Sequence, residues 1–228
     1  MASSTITEPT NARSRRTRAA LLEAAHAILN ERGFEALTMT AVAERARVTR
    51  RAVYMHFPNR GALVGELFGY VAQVEGLAGS LERVWTAPNG VTALDEWAGH
   101  LARYHPGVLA VDRAVQRVWR DDPDAAAHRA RVVKAKLTNC RRLANWLAEE
   151  GRLAPGWTTA SATDMLFALI ASDVIEALIV DRHWSRARLA EHLALLFRST
   201  FVAPKLEKGP TMSEPVTKPL DVPGATRR

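Results

Sequence analysis

The sequence lacks most of the features that mark the common alternatives. It has one cysteine, Cys140, in 228 residues. No internal disulfide can form, and a reducing, cytoplasmic setting is expected. No apolar run reaches the length of a bilayer span. The longest, over 165–180, is interrupted by Asp173 and Glu176, so no membrane helix is expected. The opening MASSTITEPTNARSRR has no apolar segment like that of a signal peptide. Catalytic signatures are missing too: no GxSxG, P-loop, GxGxxG, HExxH or cysteine pair. An all-helical enzyme is the competing class, with Cys140 in the basic context NCRR as its one evident nucleophile. A buried inert thiol is the simpler reading. The cluster HLARYH at 100–105 offers too few ligands for a metal, and no cofactor is expected.

What is present is unevenly placed. The net charge is +7. Residues 11–60 hold ten Lys/Arg against four Asp/Glu, whereas 61–203 hold sixteen of each. A local excess of this kind is the electrostatic footprint of a polyanion-binding domain. The first 12 residues are expected to be a disordered arm. Residues 204–228, with five prolines and no aromatic residue, are expected to be a disordered tail.

Between these ends the pattern is helical throughout. Apolar residues at 21, 22, 25, 28 and 29 form one stripe, and Gly33 suits the end of that helix. Thr38 suits the cap of a short second helix. Asn59 suits the cap of a longer helix running into the 80s, with Gly61, Gly65 and Gly69 on one face for close packing. Further helices are expected over 91–104, 107–121, 123–150, 159–183 and 186–202, punctuated by Pro106-Gly107, Pro123 and Gly151. The last two are apolar enough to suggest a four-helix bundle between two subunits.

Within the basic region, TMTAVAERARVTRRAVYMHF spaces Ala43, Val48 and Val53 to hold two short helices at a steep angle. This is a helix-turn-helix pattern. Thr49 caps the second helix, and Arg50 and Arg51 occupy its N-terminal turn, the part that reaches base edges in a major groove. A solvated basic face is the plain alternative, but it does not account for the capped turn and the apolar skeleton together.

Gly33-Phe34, Thr38, Val42-Ala43, Ala46, Val48-Thr49, Val53-Tyr54, His56-Phe57-Pro58 and Arg60 followed by Leu63 make residues 15–70 resemble the DNA-binding domain of the TetR family of transcriptional regulators. The resemblance implies an all-α fold: an N-terminal three-helix DNA-binding domain over 13–60, extending to about 70, and a helical ligand-binding and dimerisation domain over 61–203. It implies phosphate contacts from Thr38, Tyr54 and Arg60, with His56 near the backbone. Thr40, Arg50 and Arg51 would face base edges. Arg13, Arg15, Arg16 and Arg18 would add phosphate or minor-groove contacts. One departure stands out: Arg47 occupies a turn position where the family usually has Gly.

The expected function is a ligand-responsive repressor that binds a palindromic operator in double-stranded DNA as a homodimer joined through 159–202. A small molecule in the C-terminal domain would release it. An activator, or an architectural DNA binder without a ligand, is the alternative. All six tryptophans lie beyond residue 84, which suits an apolar or planar cationic ligand. Candidate pocket residues are Trp97, His100, Tyr104, Trp119, Trp146 and Phe167. Asp173 joins them, because Leu166, Leu169, Ile170, Asp173 and Ala177 are expected on one helical face, where an acid needs a partner.

Overall fold

A computed structural model describes residues 12–204. The disorder expected for most of the N-terminal arm and the Pro-rich tail concerns residues outside this range. The described chain runs through α1 (Ala12–Arg32), α2 (Met39–Arg45), α3 (Arg50–His56), α4 (Arg60–Val74), α5 (Leu77–Trp85), α6 (Gly90–Val118), α7 (Pro123–Glu149), α8 (Thr159–Leu169), α9 (Ser172–Glu176) with a π-helical turn (Ala177–Asp181), and α10 (Arg186–Phe201). No β-strand occurs among the described residues, only an isolated bridge between Leu153 and Val202.

The helix starts follow from local chemistry. Thr38, Thr49 and Asn59 each accept a hydrogen bond from a backbone N–H in the first turn of α2, α3 and α4. Such caps satisfy donors that have no partner inside the helix. Asp122 does the same for α7, with Pro123 at the first helical position, where a missing N–H costs nothing. Gly33 ends α1 with φ +81°.

The turn between α2 and α3 has the left-handed geometry usually given to glycine. Arg47 has φ +55°. Its N–H donates to Glu44 O, and Val48 N–H donates to Ala43 O, the paired bonds of a Schellman ending. The left-handed conformation costs an L-residue roughly 1–2 kcal/mol. Glycine returns part of that gain through its greater unfolded-state entropy, ~0.4–1 kcal/mol. Arg47→Gly is therefore expected to stabilise the protein by about 0.5–1 kcal/mol. A denaturation midpoint at or below wild type counts against strain at this turn.

Four boundaries differ from the sequence expectation. The helix from Asn59 stops at Val74, because Gly76 takes φ +70° and α5 starts afresh. Gly65 and Gly69 have no atom within 4 Å of where a Cβ would stand, so they are not a packing face; only Gly61 is close to a neighbour, Asp124. Helix α6 runs straight through Pro106 for 29 residues, where two helices were expected. Proline removes one backbone bond, a loss the packing on both sides outweighs. The helix expected over 159–183 breaks at Ala171 (φ −57°, ψ 139°), where Ser172 instead makes side-chain bonds to its neighbours. Finally, α1 starts at Ala12 and takes in Arg13 to Arg18, upstream of the apolar stripe that marked this helix in the sequence.

Two buried clusters share α6. One joins α1–α4 with Val108, Val111, Ala114 and Val115 of α6. The other joins α5, α7, α8 and α10 with Ala93 to Ala102 of α6. Pro106 lies where α6 passes from one cluster to the other. A helix of this length spans roughly 43 Å, so it links the N-terminal head rigidly to the C-terminal bundle.

Candidate nucleic-acid interface and small-molecule cavity

The buried side of the head fixes what its outer side presents. Val53 and Phe57 are fully buried, which turns Arg50, Arg51, Tyr54 and Met55 of α3 outward. Thr38, Thr40 and Thr49 are also exposed, as are Arg15 and Arg16 at the start of α1. Arg50 donates to the Tyr54 hydroxyl at 3.3 Å, with its guanidinium 5.5 Å from the ring centre. Arg51 has no side-chain partner among the described residues. Met55, 79% exposed, stands on the same outer face, and the sequence reading did not single it out. Its signal was visible: an apolar residue one turn after Arg51 on an otherwise polar face suits a thymine methyl group.

His56 sits at the end of α3 beside Phe57. Burial, then the Arg18 charge, holds its imidazole below the usual range. It is therefore mainly neutral at pH 7. Arg18 donates to His56 O and pairs with Glu66, which fastens α1 to α3 and α4.

Arg60, expected as a phosphate contact, is engaged inside the protein. Its Nη1 meets Asp122 at 2.9 Å and Asp124 at 3.0 Å. Its Nε donates to Leu37 O and its Nη2 to Phe34 O. The guanidinium also stacks over Phe34, 4.6 Å from the ring centre. Arg60 therefore clamps the head to the start of α7, and its fork is already occupied.

Beneath the α8–α9 break lies a cavity of about 220 Å³ between α6, α7 and α8. A smaller space of about 60 Å³ adjoins it and reaches toward α4. The two share Asp112, His128, Val132 and Lys136. Ser172 bridges the charged pair: its hydroxyl donates to Asp112 at 2.7 Å and lies 3.4 Å from Lys136 Nζ. His128 stacks face to face on Phe68 of α4, 3.3 Å between ring centres. The cavity thus sits at the seam between the two buried clusters, with one wall touching the head.

Few of the expected pocket residues meet there. Phe167 and Asp173 line the larger space and Tyr104 the smaller. Asp173 does not share the apolar stripe, since the break at Ala171 leaves it exposed at the mouth. Trp97 is buried in the bundle core. His100 is buried against Ser80, at 3.0 Å. Trp146 lines a separate surface groove with Trp85 and Arg142. Trp119 stays at the edge, 4.3 Å under the Arg129 guanidinium. Asp112, His128, Arg129, Lys136 and Ser172 were missed. Asp112 stands between Val108, Val111 and Val115 on a buried stripe, the very signal that was applied to Asp173.

Burial pushes His100 and His128 down to about 4, aided by Arg103 and Lys136 for the first and Arg131 for the second. Between about 4 and the 6.5 of a free imidazole the unfolded chain binds protons that the native one does not. Their stabilisation is therefore complete above pH 6.5 and lost as pH falls toward 4. Thermal melts are expected to decline through this window, and less steeply in His128→Gln. An identical decline in that variant counts against the assignment.

Among the described residues no group of three His, Cys, Asp or Glu is placed to hold a metal ion. No described helix is long and apolar enough to cross a membrane. Cys140 is buried and burial pushes its thiol up to about 12, so it stays protonated.

Residues 21–67 match a family model described as bacterial regulatory proteins, tetR family. The HTH-type transcriptional regulator YdeS of Bacillus subtilis is 38% identical over 52 residues. That match covers 23% of this chain and 26% of YdeS, so it spans about a quarter of that relative's length. Among solved structures, NalD of Pseudomonas aeruginosa, the secondary repressor of the MexAB-OprM multidrug efflux pump, aligns with a TM-score of 0.66 at 24% identity. It covers 84% of this chain and 98% of NalD. SmeT in complex with triclosan aligns with a TM-score of 0.66 at 19% identity, over 91% of this chain and 100% of SmeT. These structural likenesses extend the shared fold across both clusters.

Proposed function

With residues 21–67 forming a helix-turn-helix domain of the tetR family as its premise, we propose that this chain is a ligand-responsive repressor that binds a palindromic operator as a homodimer. The observation that carries the reading is the rigid presentation of Arg50, Arg51, Tyr54 and Met55 on a capped, exposed α3. A tetR-family domain is a DNA-binding module and not an enzyme. Two copies of α3 would enter successive major grooves, with half-site centres ~34–36 Å apart or a modest multiple. Thr38, Tyr54, Arg15 and Arg16 would contact the backbone and fix register; Arg50, Arg51 and Thr40 would read bases.

Dimerisation is supported by apolar side chains left exposed on α8 to α10: Met165, Val174, Val180, Leu195 and Leu196. A small molecule would enter the cavity at the seam. Because His128 both lines that space and stacks on Phe68 of α4, a ligand that shifts His128 would favour a head orientation with the wrong half-site spacing. Release then requires different affinities for the two orientations. The triclosan complex of SmeT is a precedent for a small-molecule site on this fold.

The test is binding of the purified protein to DNA upstream of its own and neighbouring genes, against a scrambled duplex, with a salt titration. Tight, sequence-dependent binding with a steep salt slope supports the reading. Weak, sequence-indifferent binding at every site counts against specific regulation and favours an architectural role.

A further inference from the structure

The seam cavity has an unbalanced set of polar groups. Arg129 and Lys136 stand two turns apart on α7 and both line it. The Arg129 Nε is buried without a hydrogen-bond partner. Among the described residues no carboxylate lies within 4 Å of either cation. Lys136 has only the long contact to Ser172. Of the two acids nearby, Asp112 already accepts from Ser172 and Asp173 is exposed at the mouth. The enclosed wall therefore holds two cations against one carboxylate. At the deep end His105 Nδ1 is also buried without a partner.

We propose that this cavity binds a small amphipathic anion, its acidic group received by Arg129 and Lys136 and its apolar body lying against Val115, Val132, Phe167 and Ile170. The inference rests on the reading of this cavity as the effector site and names the class of effector. Complementarity requires it: unmet donors need acceptors, and a buried excess charge needs an opposite one. Charge-assisted bonds to the guanidinium and ammonium are the strong kind. The remaining wall is largely aliphatic, and a volume of about 220 Å³ is below the ~300–1,000 Å³ of drug-sized sites, so the ligand is small. Burial holds the Lys136 ammonium below its usual range even with Asp112 beside it, so an arriving anion gains from a charge that is poorly compensated without it.

A matched probe series tests this on the full chain: octanoate, octanamide and octylammonium, titrated by calorimetry without DNA. Octanoate is expected to bind at least about tenfold more tightly than octanamide, and octylammonium least. Lys136→Gln and Arg129→Gln should each erase most of the octanoate preference over octanamide, and a cooperative thermal melt of each variant reports an intact fold. The proposal fails if octylammonium binds best, if octanoate does not exceed octanamide, or if the preference survives both substitutions. Octanoate that binds as expected yet leaves operator complexes intact would count against the coupling in the proposed function, and not against the ligand class.

Discussion

Arg60→Ala is expected to lower stability by about 3 kcal/mol and to leave the salt dependence of DNA binding unchanged. The first half follows from what the guanidinium holds. It closes two ion pairs and two hydrogen bonds to carbonyls, and it stacks on Phe34. Removing it leaves Asp122 and Asp124 facing each other without a cation, while Leu37 O and Phe34 O lose a donor. Breaking a buried pair from one side costs ~3–5 kcal/mol. Solvent reaches this one, with 27% of the Arg60 side chain exposed, so the low end applies. Asp122 also caps α7, so the damage extends into the C-terminal bundle. Arg60→Lys keeps the charge but cannot fork to four partners, and an intermediate loss is expected. The second half follows because a fork already engaged inside the protein releases no counterion on binding. Chemical denaturation paired with a salt titration checks both. A slope reduced by about one unit with stability unmoved would falsify the clamp and restore the phosphate contact.

Arg60 also shows where the sequence stops being readable. The head was legible because its signals are local. Thr38, Thr49 and Asn59 cap the helices expected of them, and Ala43 and Val53 are buried as the spacing requires. Asp122 and Asp124 lie more than sixty residues from Arg60. Nothing in the local pattern says that α7 begins beside α4, so a basic residue at the start of a helix looked like a solvent-facing contact. Pro106 failed for a similar reason. Its local cost is real, but burial on both sides of α6 decides the outcome. Arg47 was legible in the opposite sense, since the geometry there is the one that calls for glycine.

The cavity was the least legible part. Tryptophans drew attention because they are large and rare, yet large side chains fill cores: Trp97 is 2% exposed. The cavity exists because the chain breaks at Ala171, and that break is stabilised by Ser172 bonding to Asp112 of α6 and Lys136 of α7. Three elements distant in sequence therefore define it together. An acid on a buried stripe was a sound criterion, but the stripe containing Asp173 does not persist in the folded chain, and the one containing Asp112 does.

Arg51→Ala is expected to remove base discrimination at one or two positions of each half-site by roughly 5- to 150-fold, with little change at other positions. A bidentate arginine–guanine pair is worth ~1–3 kcal/mol, which converts to that range at ~1.4 kcal/mol per tenfold. Arg51 is chosen over Arg50 on geometry. It stands in the first turn of α3, exposed and without a side-chain partner among the described residues. Arg50 leans on Tyr54, donating to its hydroxyl, so its approach to a base is already constrained. Arg50→Ala should therefore disturb two contacts at once: its own base and the phosphate expected at Tyr54. Tyr54→Phe separates them, removing the hydroxyl while keeping the ring, and should weaken all sequences alike. Binding to a library of single-base operator variants distinguishes these outcomes. Loss confined to particular base pairs for Arg51→Ala, against uniform loss for Tyr54→Phe, is the pattern a reading helix gives. Uniform loss for both would mean that Arg51 holds the backbone and that base reading lies with Arg50, Thr40 or Met55.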